Sequence, residues 1–329
     1  MAYLFILLVL AVVLVNGFTD APNAVASCIS SRSMTPKGAI LLAGVCNLFG
    51  AIAAALFFSG VAETVYLTVD FGGDSRLAIS SLFAGMCAVV IWAMVAFLFG
   101  IPTSESHALI SGLVGAALGG RMTVGAVRFS YIGVVLIGLL ASSIPAYFFA
   151  KWIYSAIIRV CQSLDRRRAM KHFYRAQRLG AASSAFLHGA QDSQKFVGVI
   201  MLGTSLTSGG AIGEFKAPLS VSFLCAAVMT LGTLLGGSRI IKKVGEDMVS
   251  LDAAAGSAAD IASSAVLLLL TLLGIPVSTT HSKTSAMMGA GALTHRGLDK
   301  GVVRQMVVAW LLTFPCCALL GFILGYIFR

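Results

Sequence analysis

Hydrophobic residues run along this chain in blocks about one membrane thick. Continuous apolar stretches occupy 38–58, 78–99, 127–150, 217–237, 255–273 and 305–328, each near the roughly 20 residues a helix needs to cross the hydrocarbon of a bilayer. Within them apolar positions do not alternate with period two, so the pattern predicts spanning helices rather than barrel strands. Residues 1–16 form a further apolar block. No Lys or Arg precedes it and no small-residue cleavage site follows, so it is expected to be a retained helix rather than a signal peptide. The polar interruptions are as informative as the apolar runs. In "IPVSTTHSKTS" (275–285) eight consecutive polar residues follow directly on an apolar segment.

That interruption occurs twice. Residues 100–116 read GIPTSESHALISGLVGA and residues 274–290 read GIPVSTTHSKTSAMMGA, with Gly, Ile, Pro, Ser, His, Ser, Gly and Ala in register at an offset of 174 residues. Apolar bias produces Ala and Gly matches easily, but it does not place Pro, Ser and His in register. A second correspondence lies earlier in each half. Asn16, Asp20 and Asn23 share the spacing i, i+4, i+7 with His188, Asp192 and Lys195, which predicts one polar helical face in each half. Together the two correspondences argue for internal duplication. Segments 18–31, 38–58, 78–99, 101–119 and 127–150 correspond to 184–206, 217–237, 255–273, 276–293 and 303–328. Five is odd, so the halves must enter the membrane in opposite orientations.

The expected fold is an all-α polytopic membrane protein. Two inverted-topology repeats, with broken helices or hairpins, meet at the membrane midplane, as in many secondary transporters. The first repeat is placed at 1–150 (the N-terminal helix and five membrane segments), a basic linker at 151–180, and the second, inverted repeat at 181–329.

Composition agrees. Only 11% of residues are charged and 58% are hydrophobic, whereas a soluble domain carries about 25% charged residues. The net charge of +10 is assigned to cytoplasmic loops rather than to nucleic-acid binding. Linker 151–180 holds Lys151, Arg159, Arg166, Arg167, Arg168, Lys171, Arg175 and Arg178 against Asp165, and is expected in the cytoplasm. Arg239, Lys242 and Lys243, and Arg296, Lys300 and Arg304, mark further inside loops. The acidic loop 59–77, with Glu63, Asp70 and Asp74 against Arg76, is expected outside. Arg121, Arg128 and Lys216 fall on the wrong side of this scheme, which is a statistical bias. The seven cysteines are scattered, form no C-x-x-C pair and read as small buried hydrophobes.

Pro102 and Pro276 are placed to end one helix and open another, which would set Thr103, Ser104, Glu105 and Ser106, and Ser278, Thr279 and Thr280, at new helix N-termini. Free N–H groups and the positive helix end favour an anion there, and hydroxyls add donors that rotate to suit it. Asp20, Asp192, Lys195 and Lys283 are ionisable groups in membrane segments, a costly placement whose default reading is functional. For Lys195, three residues after Asp192, the plainer alternative is a structural ion pair. His107 and His281 read as helix-orienting, hydrogen-bonded residues, since no ligand set for a metal surrounds them. Glu105 would repel an anion unless protonated or turned outward. No Gly-x-Ser-x-Gly elbow accompanies the duplicated serines, which argues against an intramembrane hydrolase. Buried charges of both signs suit coupled alternating access better than a channel.

The segments "NGFTDAPNAVAS" (16–27), "HGAQDSQKFVG" (188–198), "GIPTSESH" (100–107) and "GIPVSTTH" (274–281) resemble the duplicated signatures of the inorganic phosphate transporter (PiT) family, as a compact, bacterial-type member. The resemblance implies phosphate symport with sodium or protons across the plasma membrane, no cofactor, and a homodimer in the lipid bilayer. It implies substrate binding by Ser104, Ser106, Ser278, Thr279, Thr280, Asp20, Asn23 and Asp192, and ion coupling at Asp20, Asp192 and Lys195. Sodium-coupled relatives tend to show Asn-Asp and a later Asn in both signatures. Here Thr19-Asp20 and Gln191-Asp192 replace those pairs, and Lys195 stands where the second later Asn would be. An ammonium has donors only and cannot coordinate a cation, so proton coupling is the expectation, with sodium the alternative. Protonated phosphate can donate to a carboxylate whereas sulfate at neutral pH cannot, so the two aspartates favour phosphate over sulfate or another tetrahedral oxyanion. A metal–phosphate complex as the carried species stays open.

Overall fold

The computed structural model describes residues 2–69, 75–99, 103–161, 163, 165–207, 215, 217–236, 244, 247–295 and 297–329. Pro102, Asp70, Asp74, Lys216, Arg239, Lys242, Lys243 and Arg296 therefore lie outside the described residues. Helix α1 (Ala2–Thr19) leads into a 3-10 turn (Ala21–Val25) and α2 (Ala26–Ser30). Then follow α3 (Pro36–Phe57), α4 (Gly60–Tyr66), α5 (Ser75–Leu98), α6 (Glu105–Arg121), α7 (Phe129–Cys161), α8 (Arg166–Thr207), α9 (Leu219–Leu235), α10 (Ala253–Leu272), α11 (Thr279–Gly291) and α12 (Lys300–Ile327). Among the described residues six segments are long and apolar enough to cross a membrane: Tyr3–Ser30, Pro36–Phe57, Arg76–Leu98, Phe129–Cys161, Ala253–Leu272 and Lys300–Ile327. Leucines, isoleucines and phenylalanines stay exposed along α3, α7 and α12, as expected of surfaces facing lipid.

Two expectations are corrected. The N-terminal helix and segment 18–31 are one interrupted span, not two elements. Asn16, Asp20 and Asn23 do not share one helical face. The α-helix ends at Thr19 and Pro22, which lacks a backbone N–H, sits in the 3-10 turn that follows. The basic linker is also largely helical, since α7 continues to Cys161 and the 42-residue α8 begins at Arg166. Loop 59–77 contains a short helix of its own, α4, with Val61, Ala62 and Val65 buried.

The halves pack reciprocally. Half-helix α6 lies along α12 of the other half, while its counterpart α11 lies along α7. At the tightest points a Cβ on Gly115 would fall 2.0 Å from the Ala318 carbonyl oxygen, and one on the matched Gly289 2.0 Å from that of Tyr147. Only glycine permits backbones to meet this closely, the usual device of helix association in lipid. The first segments behave alike: α1 packs on α9 and α8 on α3, with Gly17 against the Met229 carbonyl and Gly189 against that of Asn47. Each half also contributes one isolated β-bridge, Val69 with Val127 and Val249 with Leu298.

Candidate functional site

The first turns of the two half-helices meet in the interior. Ser104 caps α6, its Oγ accepting from His107 N–H at 3.3 Å, and Ser278 caps α11 in the same way from His281 N–H at 3.1 Å. Capping satisfies one free N–H of each first turn and uses an acceptor lone pair, so both hydroxyl protons remain to be given. Pro276 lies two residues before its cap, outside the helix rather than in its first turn. Ser106 Oγ donates to the Val277 carbonyl at 3.1 Å and ties one tip to the other.

Helix α8 brings its charges to this junction. The Lys195 ammonium donates to Asp192 Oδ1 at 2.5 Å, Ser106 Oγ at 2.6 Å and the Val277 carbonyl at 2.7 Å. Its three donors thus have three acceptors, drawn from α8, the first half and the second half. Asp192 Oδ2 accepts from Asn16 Nδ2 at 3.2 Å and lies 3.4 Å from His188 Nδ1. Lys195 and Asp192 are 2% and 1% exposed, so neither charge is shielded by solvent.

The broken span supplies the remaining wall. In the 3-10 turn Asn23 Nδ2 donates to Asp20 Oδ1 and to Thr280 Oγ1, both at 3.1 Å. Thr279 Oγ1 lies 3.2 Å from His188 Nδ1. Thr19 Oγ1 bonds both the Val15 carbonyl, at 2.8 Å, and Glu105 Oε1. Glu105 is buried, which removes the outward orientation. Gln191 Nε2 donates to Thr271 Oγ1 at 2.9 Å and to the Ile275 carbonyl at 3.2 Å, anchoring the approach to the second tip on α8.

All eight residues expected to bind substrate are buried, and the structure gathers them around these two tips. The histidines differ from expectation. Neither His281 ring nitrogen, nor His107 Nδ1, has a hydrogen-bond partner among the described residues. Their orienting contacts are ring packing instead. His107 and His281 meet edge to face at 4.7 Å between centroids, flanked by Phe314 at 4.8 Å and Trp310 at 4.0 Å respectively. Apolar neighbours from α12 surround both rings, so packing takes the place of the hydrogen bond.

One charged residue was overlooked. Asp260 on α10, 0% exposed, pairs with Lys283. A lone acid in the apolar run 255–273 was the available signal.

Fold and site together define a polytopic helical membrane protein whose buried polar centre is assembled from both halves of the chain. The sequence model of the phosphate transporter family matches residues 16–321, and the chain belongs to that family. It is 34% identical over 335 residues to a "probable low-affinity inorganic phosphate transporter" of Bacillus subtilis, covering 99% of this chain and 97% of the relative. A Mycobacterium bovis protein of the same description is 36% identical, over 97% of this chain and 76% of the relative. A solved structure titled "The sodium-dependent phosphate transporter" shares the fold, with a TM-score of 0.84 at 19% identity over 99% of this chain and 98% of that one.

Proposed function

We propose that the chain carries inorganic phosphate across the plasma membrane by proton-coupled symport, using two inverted repeats with the basic connector on the cytoplasmic side. The reciprocal packing of α6 on α12 and α11 on α7 supports the repeat arrangement. The single observation that carries the coupling reading is Lys195. Its ammonium already fills an oxygen nest made by Asp192, Ser106 and Val277, the kind of nest a coupling cation would otherwise enter.

In this reading phosphate lies between the helix tips. It accepts from the hydroxyls of Ser104, Ser278, Thr279 and Thr280, and from Ser106 and Asn23 once these leave the Val277 carbonyl and the Asp20 and Thr280 oxygens they now bond, and draws on two N-terminal helix dipoles. Its own hydroxyl donates to Asp20 or Asp192, which a fully ionised sulfate could not match. Glu105 carries the coupled proton. It is buried, and its Oε1 meets the Thr19 hydroxyl beside the first tip.

The test is labelled phosphate uptake into proteoliposomes. An inward proton gradient should drive accumulation with choline as the only added cation, and excess sulfate should leave it nearly unchanged. Sodium-dependent uptake that persists without a pH gradient would overturn proton coupling, and strong inhibition by sulfate would overturn the substrate assignment.

A further inference from the structure

A second buried ion pair lies apart from the site. Lys283 Nζ donates to Asp260 Oδ1 and, at 3.3 Å, to Ser184 Oγ. Ser27 Oγ donates to the same carboxylate oxygen at 2.7 Å. Ser263 and Ser264 place their hydroxyls 3.4 and 3.1 Å from that of Ser184. Asp260 Oδ2 has no partner among the described residues although Asp260 is fully buried. Ser184 precedes Asp192 by eight residues on α8, so the cluster lies about 12 Å along that helix from the central site.

Stability does not account for the pair. Buried ion pairs are generally matched or bettered by well-packed apolar side chains of similar volume. The other half shows the alternative in place. At the positions matching Ser184, Asp260 and Lys283 it carries Val12, Met86 and Leu109, while Ser27, itself in the first half, is matched by Val199 of the second, and all four apolar residues are fully buried. The duplicated fold therefore closes here without charge. Asp260, Lys283 and Ser184 of the second half, joined by Ser27 of the first, keep a carboxylate among hydroxyls with an ammonium seated beside it, the same pattern found at Lys195.

The ring also has a polar route to one surface. Ser27 offers its carbonyl to Gln177 Nε2 at 2.8 Å, and Ser31 Oγ donates to Gln177 Oε1 at 2.7 Å. Ser31 lines a cavity of about 690 Å³ at the basic end of α8, beside Arg32, Met170 and Tyr174.

From these observations we infer that Lys283 is a tethered cation. Its ammonium permanently occupies an oxygen cage, formed by Asp260, Ser184 and Ser27, that binds a small monovalent cation such as sodium once the lysine is shortened. Lys283 is thus a specificity-determining residue that replaces a diffusible ion by a covalently held one. As an account of coupling the inference rests on the proton-coupled reading above; as an account of the cage it does not.

The experiment uses purified full-length Lys283→Ala in lipid nanodiscs, with radiosodium binding and thermal unfolding in sodium chloride against choline chloride. The expected result is a single saturable sodium absent from the parent protein, with unfolding raised by about 2–4 °C in sodium over choline. Lys283→Ala combined with Asp260→Asn should lose both the binding and the shift. Equal unfolding in the two salts without added sodium binding would overturn the inference. If Lys283→Ala is recovered from neither salt, Lys283→Gln, which keeps a donor but not the charge, is measured in the same way and decides. Sodium-dependent uptake by the parent protein would overturn proton coupling alone and leave the cage to be judged on these measurements.

Discussion

The half-helices α6 and α11 are alike for one turn and unlike in the next. Both begin with a capping serine, follow it three residues later with a histidine, and press a matched glycine onto a neighbouring backbone. Beyond the histidine, α6 continues with Leu109 and α11 with Lys283. Leu109 belongs to an apolar cluster with Val12, Met86 and Val199, whereas Lys283 donates to Asp260 and Ser184, and Ser27 donates to Asp260 in turn. Shared residues build what is alike in the two halves, two serine-capped tips around one centre. Departures mark what must be done once, holding a compensating charge on one side only.

The comparison can be broken or sharpened by substitution. The largest effect is expected at the centre. Asp192→Asn should abolish phosphate uptake while leaving the protein inserted, because the buried Lys195 ammonium loses its counter-charge in the proposed substrate site. Near-normal uptake, read beside membrane yield, would remove Asp192 from the site. Next comes the asymmetry itself. Lys283→Met alone leaves a buried carboxylate unpaired and should cost about 3–5 kcal/mol, whereas Lys283→Leu with Asp260→Met, which copies the first half, should be neutral or stabilising by about 1–4 kcal/mol. Chemical or thermal unfolding of the two proteins in choline, side by side, checks the order. The smallest effect should be the most symmetric. Ser104→Ala and Ser278→Ala each remove one helix cap and should lower stability by about 1 kcal/mol apiece, with similar losses of apparent phosphate affinity. A clearly unequal pair would show that one tip dominates binding.

Much of this was legible in the sequence because the duplicated residues are of rare types for a membrane segment. Pro, Ser and His in register located both half-helices, and charge spacing located Asp20, Asp192 and Lys195. What stayed hidden depended on contacts between distant segments. The two aspartate-bearing segments have matched sequences but different backbones. Pro22 interrupts the first, while its counterpart Gln194 keeps the helix running and accepts from the Ala62 N–H at 3.4 Å. The role of Lys283 could not be assigned without Asp260, twenty-three residues earlier on another helix. The histidines were expected to hydrogen-bond because burying an unpaired polar nitrogen is costly. Local sequence does not show that aromatic rings from α12 close over them.

The unbroken α8 has a mechanical consequence. At 1.5 Å per residue its 42 residues span about 63 Å, roughly twice the hydrocarbon thickness of a bilayer. Asp192 and Lys195 ride on the same stiff rod as the basic residues at its start, about 39 Å away along the axis. A tilt of about 10° at the site would swing that far end by about 7 Å. The helix is in effect a pointer fixed to the buried polar centre, and a distance label near residue 170 would read the centre's motion from about 33 Å along the axis without touching it.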